Sequence, residues 1–565
     1  MKKAIATILG TSILLSCVAC TKGEETRATR RTSSTTEDTT EDTSDTVESS
    51  TEETTSETAE SLTSETTEES SSETTADITT DSSSETEETT TAPKPAKNVI
   101  YLGSKTGHER RAYSLRDKTS ETGASGSVLM DVPFLIFETS GYADLQKKLY
   151  DEVFAPVIAS ESKKYDQALS ALNSAYASSA SLESTYLTYN IVPFRMDSRV
   201  VSFALVNEEE STVHNYDAES GKELTIDDVI KDKDAFKKVV EMTVKGSFNG
   251  ENIASQMSEE MADGAASFGL TYDGIYLPNP SEFANIFWLK IPITGHEDLV
   301  NMDYFGKTPD SFTLFFNVDQ TLAWDVTGDG KTDSIKVGFE QTPKPGYDFM
   351  TGKLVIEING KAMEFMDLGD NDITPNYRRA FLVYDTEAYY LYATCGSVDS
   401  EEDTYIFKIT GEGDLEYMDC TSSHFQNTFY MDPQDVEMYN LSFLLTFHHL
   451  TNSYNMTGTK GIPTVKNEYS YCYEPGVISK KELKGVTVDS NGMPTSQEIT
   501  VPAETSFAIV GYSAEKGEIL LEMLTPSGTE NSQVAFKVEF DEDYNTFVAG
   551  VKDSEAFYDI MEDLW

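Results

Sequence analysis

The sequence predicts an α+β N-terminal domain followed by a mainly-β C-terminal region, both preceded by a disordered acidic linker. Three observations carry that expectation. Of 565 residues only 38% are hydrophobic, yet 11% are aromatic; the two values fit a chain of which one part cannot fold and the rest has a well-stocked core. A helical period over residues 141–181 is followed by runs with strand alternation. From residue 305 onward tyrosine and phenylalanine abound and helical periodicity is sparse.

The chain opens with Lys2 and Lys3 and an apolar run from Ala4 to Leu15. That run is too short to span a bilayer, so residues 1–20 read as a signal peptide. Leu14-Leu15-Ser16-Cys17 is similar to a bacterial lipobox, and Val18-Ala19-Cys20 is the competing site. The resemblance implies lipidation of Cys17 or Cys20, placing the protein at the extracellular face of the cell membrane through a lipid anchor; an ordinary signal peptide is the alternative. No later stretch reaches 18 apolar residues, so no second membrane element is expected.

Residues 21–97 read as linker. Between 32 and 91 there are 36 Ser or Thr and no Lys or Arg, and residues 22–97 hold 21 acidic against 6 basic groups. Such a segment buries too little apolar surface to offset chain entropy. Its carboxylates repel one another, so it reaches roughly 250 Å when stretched and about 50 Å as a relaxed coil.

The first folded region is expected over 98–304. The period of Leu145, Leu149, Val153, Leu169, Leu172 and Tyr176 predicts a helix, broken or kinked at Pro156. Strands follow at 186–191 and 200–206. Residues 215–230 read as a strand, a Ser220-Gly221 turn and a short segment leading to a helix over 234–246. Residues 268–277 read as a hairpin in which Asp273-Gly274 supplies positive φ angles, and 286–293 as a last strand. Three of these runs, YDAESGKELTIDDVI (216–230), FGLTYDGIYLP (268–278) and WLKIPI (288–293), resemble an extracytoplasmic module of Gram-positive bacteria. This is the domain of unknown function 3298, often preceded by a companion numbered 4163. It occurs in lysozyme-sensing anti-sigma factors and beside the catalytic domain of some peptidoglycan deacetylases. The resemblance implies an α+β fold and a binding role rather than a chemistry. The family's Gly-Gly-Ala-His stretch is absent: this chain has Asn207 to His214 there, and His214 reads as an ordinary surface or loop histidine.

The mainly-β region divides into 305–425 and 426–565. Its sharpest motif is Asp325-Val326-Thr327-Gly328-Asp329-Gly330-Lys331-Thr332-Asp333. Side-chain oxygens of Asp325, Thr327, Asp329 and Asp333, with the Lys331 carbonyl, match the many-oxygen demand of Ca²⁺, and Gly328 and Gly330 permit the curl. Lys336 stands where an EF-hand has its glutamate. The loop resembles those of calcium-binding β-hairpins and propeller blades; a connection that holds no ion is the alternative. Asp367 to Asp372 forms a second acidic turn. The runs DVTGDGKTDSIKV (325–337), LVIEINGK (354–361) and YYLYATCGSVDSEEDTYIFKIT (389–410) resemble a β-rich module of clostridial surface lipoproteins, for which no activity follows. Short strands separated by polar turns within 498–524 are compatible with a small SH3-like barrel.

Catalytic motifs are not found: no His-Glu-x-x-His, Gly-x-Ser-x-Gly or P-loop pattern occurs. Ser160-x-x-Lys163 and Lys105-Thr106-Gly107 match penicillin-binding elements in the wrong order, and His448-His449 fall in an apolar run that reads as structural. Cys395 and Cys420 are the expected disulfide, leaving Cys472 free; three reduced thiols are the alternative. The net charge is −54, of which −41 lies from Asn98 onward. That excludes nucleic acid and favours cations or basic partners. The expectation is therefore a non-catalytic surface lipoprotein binding peptidoglycan or a basic protein such as lysozyme, with Ca²⁺ as the one cofactor considered. A wall-modifying hydrolase with an unfamiliar site and a passive structural or solute-binding lipoprotein are the alternatives.

Overall fold

The structure, a computed structural model, describes residues 98–116, 125–207, 211–247, 267–278, 288–317, 320–343, 350–365, 378–396, 402–421, 423–425, 432–442, 444–445, 448–527, 531–541 and 545–558. Cys17, Cys20, the linker and the acidic turn 367–372 lie outside these residues. The protein is mostly β-sheet with few helices. Among the described residues no helix is long and apolar enough to cross a membrane.

A long hairpin comes first: β1 (Ser104–Arg116) and β2 (Ser125–Phe137) pair in register, and the short β3 (Thr185–Thr188) joins β2 in parallel. Between β2 and β3 run helix α1 (Ala143–Leu149), a π-turn (Tyr150–Phe154) and helix α2 (Ala155–Ser178). The break expected at Pro156 is a wider turn instead. Proline lacks the N–H for the usual bond and crowds the carbonyl four residues back, and one π-turn relieves both while the chain stays helical. The helices bury Leu145, Leu149, Phe154 and Leu172 against Val128, Met130 and Phe203.

Next, β4 (Asn190–Met196), β5 (Val200–Val206) and β6 (Ser211–Asp217) form an antiparallel sheet whose central strand is buried throughout. Helices α3 (Ile226–Val229) and α4 (Lys233–Ser247) follow, then a second three-stranded sheet of β7 (Gly269–Leu270), β8 (Gly274–Pro278) and β9 (Trp288–Pro292). Thr225 starts α3 with a capping box closed by Asp228. The Ser220-Gly221 turn forms as read, with Gly221 at φ +67° and the Asp217 carboxylate accepting from Ser220 N at 2.8 Å. Gly274 corrects the reading made of it. It has no positive φ; its need is space, since a Cβ there would stand 2.9 Å from the Ile291 carbonyl oxygen.

Two sheets then pack face to face. One holds β10 (Phe312–Asn317), β15 (Arg378–Tyr384), β16 (Tyr389–Gly396), β17 (Glu402–Ile409) and β18 (Leu415–Thr421). The other holds β11 (Thr321–Trp324), β12 (Asp333–Pro343), β13 (Met350–Ile358) and β14 (Lys361–Phe365). Leu314, Leu382, Leu391 and Phe407 meet Leu322, Ile335, Leu354 and Ile356 between them. The outer face of the five-stranded sheet is also covered. Phe315, Phe381, Tyr392 and Ile406 pack on Phe194, Val206 and Tyr276 from one side of the chain and on Met438 and Tyr454 from the other. With both faces dry, Ala380–Val383 and Tyr390–Ala393 are buried at every position, and alternation disappears from the sequence.

The last region adds β19 (His424–Phe425), β20 (Val436–Ser442), β21 (His448–Asn455), β22 (Thr464–Val465), β23 (Ser470–Ser479), β24 (Leu483–Val488), β25 (Pro494–Val501), β26 (Ser506–Ser513), β27 (Glu518–Met523) and β28 (Ser532–Phe540). They belong to one thirteen-stranded sheet with the main order β19-β20-β21-β23-β26-β27-β28-β24-β25. The strands expected to close into a small barrel thus continue the sheet begun by β20 and β21, through the pairing of Thr451 with Tyr471. The described residues from 98 onward belong to one compact unit. Apolar clusters are shared across the boundaries expected near 304 and 425.

Candidate functional site

The three runs that resemble the extracytoplasmic module come together in space. Leu224, Ile226 and Val229 from the first, Leu270, Ile275 and Leu277 from the second and Leu289 and Ile291 from the third share one core with Phe236 and Val240 of α4. A buried polar bridge ties β5 and β6 to the second run: Ser202 Oγ donates to Asn215 Oδ1 at 2.6 Å and accepts from Leu270 N at 2.9 Å, while Asn215 Nδ2 donates to the Phe268 carbonyl at 2.7 Å. The second and third are joined by Lys290, whose ammonium meets the Asp273 carboxylate and also donates to the Phe315 carbonyl at 3.0 Å. Both ends of that ion pair are almost fully buried. A second buried pair, Arg195 Nε to Asp197 Oδ2 at 2.6 Å, lies over the Tyr272 ring and reaches the Tyr304 carbonyl. Every charge here is spent on holding segments together.

The Asp-rich loop forms between β11 and β12, with Gly328 at φ +74° and Gly330 at φ +80° as its curl requires. Its oxygens serve the protein's own donors. Asp325 accepts from Gly328 N and Gly330 N at 2.8 and 3.0 Å. Asp333 Oδ2 accepts from Val326 N and Thr327 N at 2.8 and 2.9 Å, and its Oδ1 from Asn359 Nδ2 at 2.7 Å. Burial alone would raise the Asp333 carboxyl, but these bonds outweigh it and hold the group low. Lys331, expected to offer its carbonyl, instead places its ammonium 2.9 Å from Asp329 Oδ2. Thr327 turns both its backbone N–H and its side chain toward the Asp333 carboxylate. Among the described residues no group of three or more His, Cys, Asp or Glu side chains is arranged to hold a metal ion.

The expected Cys395–Cys420 disulfide is a correction. Cys395 lies on β16 opposite Asp403, and Cys420 on β18 opposite Tyr405, with β17 between them. Two strand spacings, about 10 Å, exceed the reach of a disulfide, and Cys420 is a free thiol, as is Cys472. Burial pushes Cys420 up to about 11 and Cys472 higher still, which makes both poor nucleophiles. His214 stands on β6 rather than on a loop, its ring 5.3 Å from that of Phe203, and burial lowers its affinity for a proton. His448 and His449 lie on β21, paired with Ser442 and Leu441. Ser160 and Lys163 are exposed on α2, while Lys105 to Gly107 sit on β1. They form no shared site.

Carboxyl groups with raised proton affinity are the remaining chemistry. Burial lifts Asp432 to about 6, helped by Asp435, and it lifts Glu437 as well. Glu474 on β23 rises to about 7 from burial alone. Lys466 binds Asp435 at 2.7 Å.

Sequence reasoning missed the arginines of β1. Arg110 lies 4.5 Å above the Tyr473 ring and donates to Asp131; Arg111 lies 4.3 Å above Tyr165 and donates to Asp166 and the Ser527 carbonyl; Arg116 lies 4.3 Å above Tyr558. Burial would raise Asp131, but hydrogen bonds and charge from His108 and Arg110 hold it down. The signal present was three arginines within seven residues, Arg110 to Arg116, in a stretch whose polarity hid its strand.

No protein-family model matches this sequence, and no curated protein matches it. Among solved structures it is similar to a DUF3298-family protein from Bacteroides fragilis, with a TM-score of 0.25 and 13% identity over 36% of this chain and 96% of that one. It is also similar to a DUF3298-family protein from Pseudomonas aeruginosa, with a TM-score of 0.22 and 17% identity over 36% of this chain and 98% of that one.

Proposed function

We propose that this protein is a lipid-anchored surface protein, attached through Cys17 or Cys20, whose folded body binds a cell-wall component or a basic protein such as lysozyme without catalysing a reaction. The observation that carries this reading is the charge: of the net −54, −41 lies from Asn98 onward rather than in the linker. The buried charges support it too, because Arg195, Asp197, Asp273 and Lys290 are closed on one another and on backbone carbonyls. The exposed carboxylates are therefore the charge a partner meets. A basic partner is steered by such a field and released as salt screens it.

Calorimetric titration of the full chain with lysozyme and with soluble peptidoglycan fragments, at low and at physiological salt, tests the reading. Lysozyme is expected to bind, with an association rate falling steeply as salt rises. Absence of binding to both ligands at low salt removes it. Radiolabelled fatty acid retained by the wild type but lost when both Cys17 and Cys20 are replaced tests the anchor.

A further inference from the structure

Residues 469–558 have two apolar cores of their own. In one, Phe507, Ile509, Leu521 and Phe536 pack together, and among the described residues only Leu444 and Leu445 reach it from earlier in the chain. The other holds Tyr469, Val510, Leu520 and Ala535. This module is attached to the rest of the protein along two lines of different chemistry. At its edge, Thr451 of β21 pairs with Tyr471 of β23, and Leu444 and Leu445 are buried in its core. The second line is the β1–β2 hairpin. Ala508 stands between Phe507 and Ile509 on β26 and so points to the opposite face of the sheet, where it meets Ala112 and Leu129.

Fully buried apolar contact across this second line is small, with Ala112 and Leu129 on one side and Ala508 and Leu524 on the other, so it adds little hydrophobic adhesion. Arginines supply the rest. The Arg110 guanidinium lies over the Tyr473 ring and that of Arg116 over Tyr558. Arg116 also stands 3.9 Å from Glu504, and Arg111 donates to the Ser527 carbonyl at 3.2 Å. The two sides differ in charge. β1 and β2 hold four basic and two acidic residues, whereas residues 469–558 hold six basic and fifteen acidic. Attraction between them weakens as salt screens it. The edge attachment, made of apolar burial and backbone pairing, has no such dependence.

We propose that the hairpin contact is a releasable clasp: as ionic strength rises, residues 469–558 swing off β1–β2 as a folded body about the edge between β21 and β23, uncovering Ala508, Leu524 and the Tyr473 ring. Leu444 and Leu445 stay in the module's core, so release is a movement and not an unfolding step. Thiol labelling of the full chain, read position by position by peptide mass spectrometry, tests it. Ala508→Cys reports the clasped face, and Ala556→Cys, in the module's own core, reports unfolding; both alanines are fully buried. Where opening and closing outpace labelling, the rate follows the open fraction. Labelling at 508 is expected to rise about tenfold from low to molar sodium chloride, with labelling at 556 unchanged. Adding Arg110→Gln/Arg116→Gln is expected to bring the low-salt rate at 508 up to the molar-salt rate. The salt series needs no arginine variant, so it decides the matter even where that variant fails to fold. A rate at 508 that ignores salt, or that rises only in step with the rate at 556, overturns the proposal.

Discussion

Glu474 has a folded-state value of about 7 against an ordinary 4.5, caused by burial. The native state therefore holds its proton to higher pH than the unfolded chain does. Stability present below pH 4.5 is lost as pH rises toward 7, by on the order of 3 kcal/mol. Glu474→Gln is expected to flatten that loss and raise stability at pH 8, as read by urea denaturation across pH 4–8; an unchanged pH slope refutes it. Asp333 behaves in the opposite sense. Its folded-state value is lowered, so its contribution is present above the ordinary carboxylate range and lost on acidification. Asp333→Ala removes the acceptor of three hydrogen bonds and should cost about 2–3 kcal/mol with or without calcium. Millimolar Ca²⁺ is expected to leave the wild-type midpoint unchanged, because the Lys331 ammonium and backbone N–H groups already engage the carboxylates; a saturable rise would support calcium binding instead. The loop's shape was legible in its glycines. The use of its oxygens was not, because the same Asp-Gly spacing suits an ion and a self-closed turn equally, and Asn359, which helps decide it, lies 26 residues beyond Asp333.

At the level of elements, α1–α2, β5, the Ser220-Gly221 turn and β9 follow from local patterns, since each has one buried face or a turn residue that marks it. The β1–β2 hairpin was invisible for the converse reason: Arg110, Arg111 and Arg116 make its contacts through ion pairs and aromatic faces. Polar contacts leave no hydrophobic period. Asp273-Gly274 was misread because the dipeptide signals a turn, whereas Asp273 is needed as partner to Lys290 and Gly274 for close approach to β9. Breaking such a buried pair should be severe and replacing it mild. Lys290→Met alone is expected to cost about 3–5 kcal/mol, and Asp273→Leu/Lys290→Met to recover most of it. Equal destabilisation of the single and double variants by denaturant titration would show that the pair is not the unit.

Across the whole molecule, the five-stranded sheet is the middle layer, with Phe194 and Tyr276 from before residue 304 and Met438 and Tyr454 from after 425 on its outer face. The protein is thus expected to unfold from 98–565 in one transition. A fragment of residues 98–304 should expose Phe194, Val206 and Tyr276, bind a hydrophobic dye and melt lower; a fragment as stable as the whole would show that this shared core contributes little. The sequence by itself determined the β-rich character of the C-terminal region, the main helix, the turns with left-handed glycines and the concentration of acidity beyond residue 97. These depend on period, φ preference and composition, all of which are local or additive. Only the tertiary structure decided that the expected regions share cores, that Cys395 and Cys420 stand a strand apart, and that the Asp-rich loop closes on itself. Each of those turns on which distant residue fills a given space, and nearest neighbours in a chain carry no record of that.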